Sequence, residues 1–112
     1  MGLIRTGLKP SGVYFLRCDD RVKIGASTRV PIRIRDLTYG VKQAELLGVL
    51  AVRNLWAAEE AMHRRFHTYR LRGEWYTAAP ALLEEIRQLL TDPAIQLQWN
   101  GTSGPNYHIG RP

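Results

Sequence analysis

The sequence predicts an α+β domain, a small sheet flanked by helices, and three observations carry that prediction. Two β-prone runs, Val13–Cys18 and Arg21–Ile24, flank Asp19-Asp20, the signature of a tight hairpin. A continuous apolar run, Ala44–Val52, has the length of a strand. Two later stretches, Leu55–Tyr69 and Ala79–Leu90, carry apolar residues at helical spacing. A lone hairpin is marginal in water, so the third strand must lie beside it.

If Asp19-Asp20 is the loop, residue i faces residue 39 − i, which sets Leu16 opposite Lys23 and Tyr14 opposite Gly25. Side chains alternate along a strand. Val13, Phe15, Val22 and Ile24 then form one apolar face that wants a core. Tyr14, Leu16 and Cys18 share the other face with Arg21 and Lys23. There a phenol and an ammonium are diagonal neighbours, roughly 7–8 Å apart. Gly25 is expected to leave a bare spot beside Tyr14 where a substrate backbone can approach. A hairpin with one oily face and one face carrying Tyr, Lys and a gap suggests a site.

Met1–Ser11 lacks periodicity and reads as a lead-in arm, and 91–112 reads as an extended tail. Between them, residues 12–90 form the domain. After the hairpin, Ser27 or Thr28 can cap a short helix that has Pro31 in its first turn and ends before Gly40. Its stripe is Val30, Ile34 and Leu37; Arg33 lies about 40° from Leu37 at the stripe's margin, and Arg35 faces away. The run Ala44–Val52 reads as a strand covered on both faces. Asn54 can cap the next helix, whose stripe is Leu55, Ala58, Met62, Phe66 and Tyr69. With Leu55 as zero, Glu59 falls about 40° to the other side, at the stripe's edge where helix meets sheet, and His63 lies at about 80°. Gly73 breaks the helix, Glu74 is read as pairing locally around Trp75, and Trp75-Tyr76 packs back on the core.

The chain has 112 residues, enough for one domain with a real core. Its one cysteine, Cys18, excludes an internal disulfide and suits a reducing compartment. No signal-peptide pattern and no run of ~20 apolar residues is present, so the expectation is a cytoplasmic protein without a membrane partner. Net charge is +6, and residues 1–78 hold 14 Lys/Arg against 7 Asp/Glu. Thirteen of the sixteen basic residues are Arg, which suits bidentate phosphate contacts. An anionic polymer, most simply nucleic acid, is the implied partner; the alternative is ordinary solvated surface charge.

Gly12-Val13-Tyr14, then Lys23-Ile24-Gly25, then Arg33 eight residues past that glycine, then Glu59 four residues before His63, is an ordered set. It resembles the GIY-YIG nuclease superfamily. The stretch 59–76, ending Gly-Glu-Trp-Tyr, looks like the small phage-type DNA-binding branch of that superfamily. The resemblance implies a three-stranded antiparallel sheet with helices around it. It also implies a metal-dependent DNA endonuclease, with one Mg²⁺ or Mn²⁺ held by Glu59. Catalytic roles carry over onto Tyr14, Lys23, Arg33 and Glu59, with His63 added from the helix face. Lys23 is a departure, since most members have Tyr there, and Leu37 stands where a polar residue is common. Arg29, Arg33, Arg70 and Arg72 are the expected nucleic-acid contacts.

In such a site one carboxylate suffices for a cation that keeps most of its waters. Arg33 would clamp the phosphate as charge builds. Tyr14 would orient or deprotonate the attacking water, helped by a cationic neighbour, Lys23 or Arg33. Each residue has a plainer alternative: Tyr14 and Lys23 as ordinary strand residues, Arg33 and Glu59 as a structural ion pair, His63 as an amphipathic-face histidine. Glu59, His63 and His67 are spaced like zinc ligands, without an evident fourth. The alternative function is a nucleic-acid-binding module of the same fold, catalytically weak or inactive; a protein-interaction domain is the third.

Overall fold

The computed structural model describes residues 11–95. The expected arm and tail therefore lie outside the described residues except for Ser11 and 91–95. The elements run β1 (Gly12–Cys18), β2 (Arg21–Ser27), α1 (Val30–Thr38), β3 (Ala44–Leu50), α2 (Leu55–Arg65), a 3₁₀ turn (His67–Tyr69), β4 (Arg70–Arg72), β5 (Trp75–Thr77) and α3 (Pro80–Thr91).

The class is α+β, but the sheet has five strands, in the order β3-β1-β2-β5-β4, and not three. Every pairing is antiparallel. The two added strands come from the stretch expected to be a helix break. Each has three residues, too few for alternation to register in the sequence. Gly73 does break the helix pattern, but as the first residue of a two-residue hairpin loop, at φ 55°.

The first hairpin has the register expected from the sequence, with Tyr14 opposite Gly25 and Leu16 opposite Lys23. Asp19 takes the left-handed conformation at the turn, with φ 61°. The apolar face Val13, Phe15, Val22 and Ile24 lies in the larger core, with Met62 and Phe66 near α2 and its end and with Leu82, Ile86 and Leu89 of α3. The opposite face is not an open site face. Tyr14, Leu16 and Cys18 are buried in a second, smaller core with Val30 and Ile34 of α1. Three apolar residues on that face demanded a cover, and α1 supplies it.

β3 is one of the two edge strands, and most of it is half-buried. A bulge between Phe15 and Leu16 breaks its alternation. Leu47 and Leu50 thereby serve the larger core, while Ala44, Leu46 and Val49 serve the smaller. That explains why the run reads as continuously apolar. Asn54 caps α2 through its side chain, accepting from Ala57 N–H at 3.1 Å. The helix stops at Arg65, short of the expected Tyr69, and the 3₁₀ turn leads the chain into β4. Thr28 does not cap α1; the Ser27 hydroxyl instead accepts from Arg29 N–H at 2.9 Å, and Arg29 stands at the N-cap. No helix among the described residues is long and apolar enough to cross a membrane.

Phe66 is fully buried, whereas Trp56, on the same helical segment, is 66% exposed. Phe66→Ala should cost about 3–5 kcal/mol in denaturant unfolding. Trp56→Ala should change stability by no more than about 0.5 kcal/mol.

Candidate active site

β5 pairs with β2 only over Arg21–Lys23. One residue on, Ile24 N–H donates to the Glu74 carbonyl at 3.0 Å, in the β4–β5 loop. Beyond it the β2 edge has no strand beside it. The notch at Ile24–Gly25 lets side chains from both faces of the sheet meet.

His63 of α2 reaches into the notch, its Nε2 3.0 Å from the Ile24 carbonyl. A carbonyl only accepts, so Nε2 carries the proton and Nδ1 keeps the lone pair in the neutral ring. Glu59, one turn earlier, shares a hydrogen bond with the Glu74 carboxyl. Glu74 Oε1 is 3.0 Å from Lys23 Nζ, and the Lys23 side chain is only 12% exposed. From the other face, the Tyr14 hydroxyl takes a hydrogen bond with Arg33. The expected bare spot at Gly25 is filled by Tyr14 itself. A Cβ built on Gly25 would lie 2.5 Å from the Tyr14 hydroxyl and 3.1 Å from Glu74 Oε1. Glycine is needed there so that the phenol and the carboxylate can both approach the backbone.

Burial, followed by the hydrogen bond and charge of Glu74, pushes the Glu59 carboxyl up to about 7 against the pull of Lys23 and Arg33. Glu74 behaves oppositely. Burial raises it too, but the Lys23 ammonium and the Glu59 hydrogen bond outweigh burial and hold it below the usual carboxylate range. Below about pH 7 Glu59 is thus the member that holds the proton and donates to ionised Glu74. Arg33 is held above its ordinary range chiefly by its hydrogen bond to Tyr14.

Glu59, His63 and Glu74 can each offer one ligand atom, and these atoms lie within 4.8 Å of one another. Two carboxyl groups that must share a proton suit a divalent cation, which can take the place of that proton. Two carboxylate oxygens are donors of the type Mg²⁺ and Mn²⁺ prefer. The zinc-like trio does not assemble: the exposed His67 has Nδ1 3.2 Å from the Arg64 carbonyl, and Glu74 stands in the cluster instead. Glu74 was read as a local partner of Trp75, and its place beside Glu59 could not be seen without β4 and β5. The available signal was Gly73-Glu74 between two β-prone triplets.

A second feature escaped sequence reasoning. The Tyr76 hydroxyl is fully buried and has no hydrogen-bond partner, an arrangement that costs about 1–3 kcal/mol. Its ring lies against His63, with centroids 5.8 Å apart.

The other expected residues are more scattered. Arg33 bonds Tyr14, and the ion pair at the notch is Lys23–Glu74. Leu37 packs against the smaller core. Arg70 donates Nε–H to the Gly73 carbonyl at 2.8 Å and lines a groove of about 510 Å³ with Glu60, His63, Arg64 and His67. Arg72 lies exposed on β4, and Arg29 lies exposed one turn before Arg33.

The family model described as the T5orf172 domain matches residues 12–91. No curated protein matches the chain. No solved structure matches it. The match corrects the expected membership of the GIY-YIG superfamily, since a different family accounts for nearly the whole folded region. The motifs behind that resemblance are tripeptides and single residues, which a strand, a tight turn and a helix edge can present in more than one family.

Above its ordinary range, a carboxyl group stabilises the fold while protonated, and that stabilisation fades as pH rises toward its folded value. In EDTA the melting temperature should therefore fall between about pH 4.5 and pH 7 through Glu59. Glu59→Gln should flatten that part of the profile in a thermal melt series.

Proposed function

The chain belongs to the T5orf172 domain family, a nucleic-acid-related module, and from its site we propose that it hydrolyses DNA phosphodiester bonds with Mg²⁺ or Mn²⁺ as cofactor. The observation that carries this is the proton-sharing Glu59–Glu74 pair, with His63 beside it and the Arg33–Tyr14 pair across the same notch. Glu59, His63 and Glu74 would hold the cation. Bound there, it would act as a Lewis acid on a phosphate oxygen.

The protein's own groups have separable tasks. Glu59 must give up its proton before the cluster can bind a cation. Lys23 keeps Glu74 ionised, and the Ile24 carbonyl fixes the His63 ring and tautomer. Arg33 offers a guanidinium for the phosphate oxygens as negative charge grows. Tyr14, fixed over Gly25, orients the attacking water or accepts its proton. The net charge of +6 would draw the polyanion in, and the exposed Arg70 and Arg29 would meet its backbone.

One observation favours binding without turnover. The half-buried Lys23 ammonium already neutralises Glu74, and a permanent positive charge there opposes a divalent cation. The two functions separate in one assay. With Mg²⁺ or Mn²⁺ the protein should nick supercoiled plasmid, and Glu59→Ala and Arg33→Ala should each lower the rate about 100-fold or more. DNA binding by every preparation with no nicking in any divalent metal identifies the binding module. Affinity should fall steeply with salt in either case; a flat response would count against any nucleic-acid role.

A further inference from the structure

The residues that α2 buries in the core are Ala58, Ala61 and Met62. Trp56 lies about 120–160° around the helix from all three, so its ring points away from that core and stands 66% exposed. A single apolar side chain in water is ordinary; the place of this one is not. Seven residues at about 100° each bring His63 back within about 20° of Trp56, about 10 Å further along the same line of the helix. Glu60 lies between them, one turn past Trp56, and there the groove of Glu60, His63, Arg64, His67 and Arg70 begins. The outer face of α2 thus carries a flat indole, then a groove with two guanidinium groups, and in that groove the His63 ring of the candidate site.

Charge complementarity selects the occupant. Arg64 pairs with Glu60 at 2.9 Å, but both side chains are exposed, and a pair of that kind is weak enough for a phosphate oxygen to take over the guanidinium. Arg70 is tied to the Gly73 carbonyl by its Nε–H, which holds its guanidinium at the groove wall. A phosphate backbone suits the groove but has no use for an indole. A nucleobase does, since any base can stack its face on an aromatic ring. An internal base of a duplex has both faces covered by its neighbours, so the base that stacks must be unpaired or flipped out.

We propose that Trp56 is the stacking platform for an unpaired base of a DNA strand whose backbone follows the Arg64–Arg70 groove past His63, which makes single-stranded or locally opened DNA the preferred substrate. The inference rests on the nucleic-acid reading of the site and does not require the cation. The stacked base anchors the strand two helical turns from His63 and so fixes which phosphodiester meets the notch.

The test measures binding of a labelled single-stranded DNA, and of the linear duplex made from it, by fluorescence anisotropy in EDTA, where no metal-dependent cleavage intervenes. Trp56→Ala should lower single-strand affinity about 5–150-fold, the worth of one base–aromatic contact, and leave duplex affinity unchanged. Trp56→Tyr, which keeps an aromatic face, should restore most of the loss. Arg64→Ala should weaken both forms, as a phosphate contact does. Equal single-strand affinity in Trp56→Ala and wild type overturns the proposal and leaves the nucleic-acid reading standing. Equal losses for single strand and duplex in Trp56→Ala also overturn it, because the indole would then not be reading an exposed base. Unchanged binding in Arg64→Ala overturns the path along the groove. A wild-type protein that self-associates through Trp56 in sedimentation, with DNA binding unaffected by Trp56→Ala, assigns the indole to a second copy instead. Wild type that binds neither DNA removes the nucleic-acid reading itself and this inference with it, a result distinct from the others.

Discussion

The early end of the β2–β5 ladder governs the rest of the structure. A sheet normally separates what lies on its two faces. Here β5 bonds β2 through Lys23, Ile24 N–H takes the loop carbonyl of Glu74, and the ladder stops. The Ile24 carbonyl is left for His63. Around that notch, α2 on the larger core meets Tyr14 and Arg33, which belong to the side covered by α1. A β5 longer by two residues would wall the notch off. Glu74 would then be a strand residue facing one side only, and the carboxyl pair could not form.

The same notch sets the electrostatics. Half-burial raises the cost of charge on both carboxyl groups, and their proximity raises it further. The conflict is resolved unevenly because Lys23 lies on β2 within 3.0 Å of Glu74, whereas Glu59 comes from α2 and forms no ion pair among the described residues. Glu74 ionises first, and Glu59 holds the proton up to about pH 7. The asymmetry follows from which strand carries the ammonium and not from any difference in the acids themselves.

The hairpin was legible because a two-residue loop fixes register and the strand period is two. Tyr14 opposite Gly25 follows from those facts alone. The meaning of that pair was not legible. An empty place at Gly25 and a closely packed one look the same in sequence, and only the position of the Tyr14 ring distinguishes them. The second face was misread for a related reason: Leu16 and Cys18 required burial, but the cover, α1, follows later in the chain. Glu59 and His63 were legible from the helical wheel. Glu74 was not, since its position depends on two three-residue strands whose pairing carries almost no local signal. Family membership was legible only as far as short motifs reach, and the whole-domain match assigns it differently.

On the proposed cation-dependent reading, Lys23 and an incoming cation would both compensate Glu74, and this competition would decide what the site can do. The ammonium is covalently tethered, so it is always present and cannot be washed out. Its pairing keeps Glu74 ionised, which would leave one carboxylate ready as a ligand before any metal arrived. A cation arriving at the cluster would have to displace only the Glu59 proton, a cost that falls as pH rises toward about 7. If Lys23 stayed on Glu74 Oε1, the second carboxylate oxygen could still face the cluster, and the ammonium would lie behind the ligand, in the manner of a positively charged outer shell. Binding would then be weaker than at an uncompensated pair of carboxylates, and easier to reverse. Lys23 would thereby set affinity against readiness: it would lower the net negative charge offered to a cation while keeping Glu74 ionised.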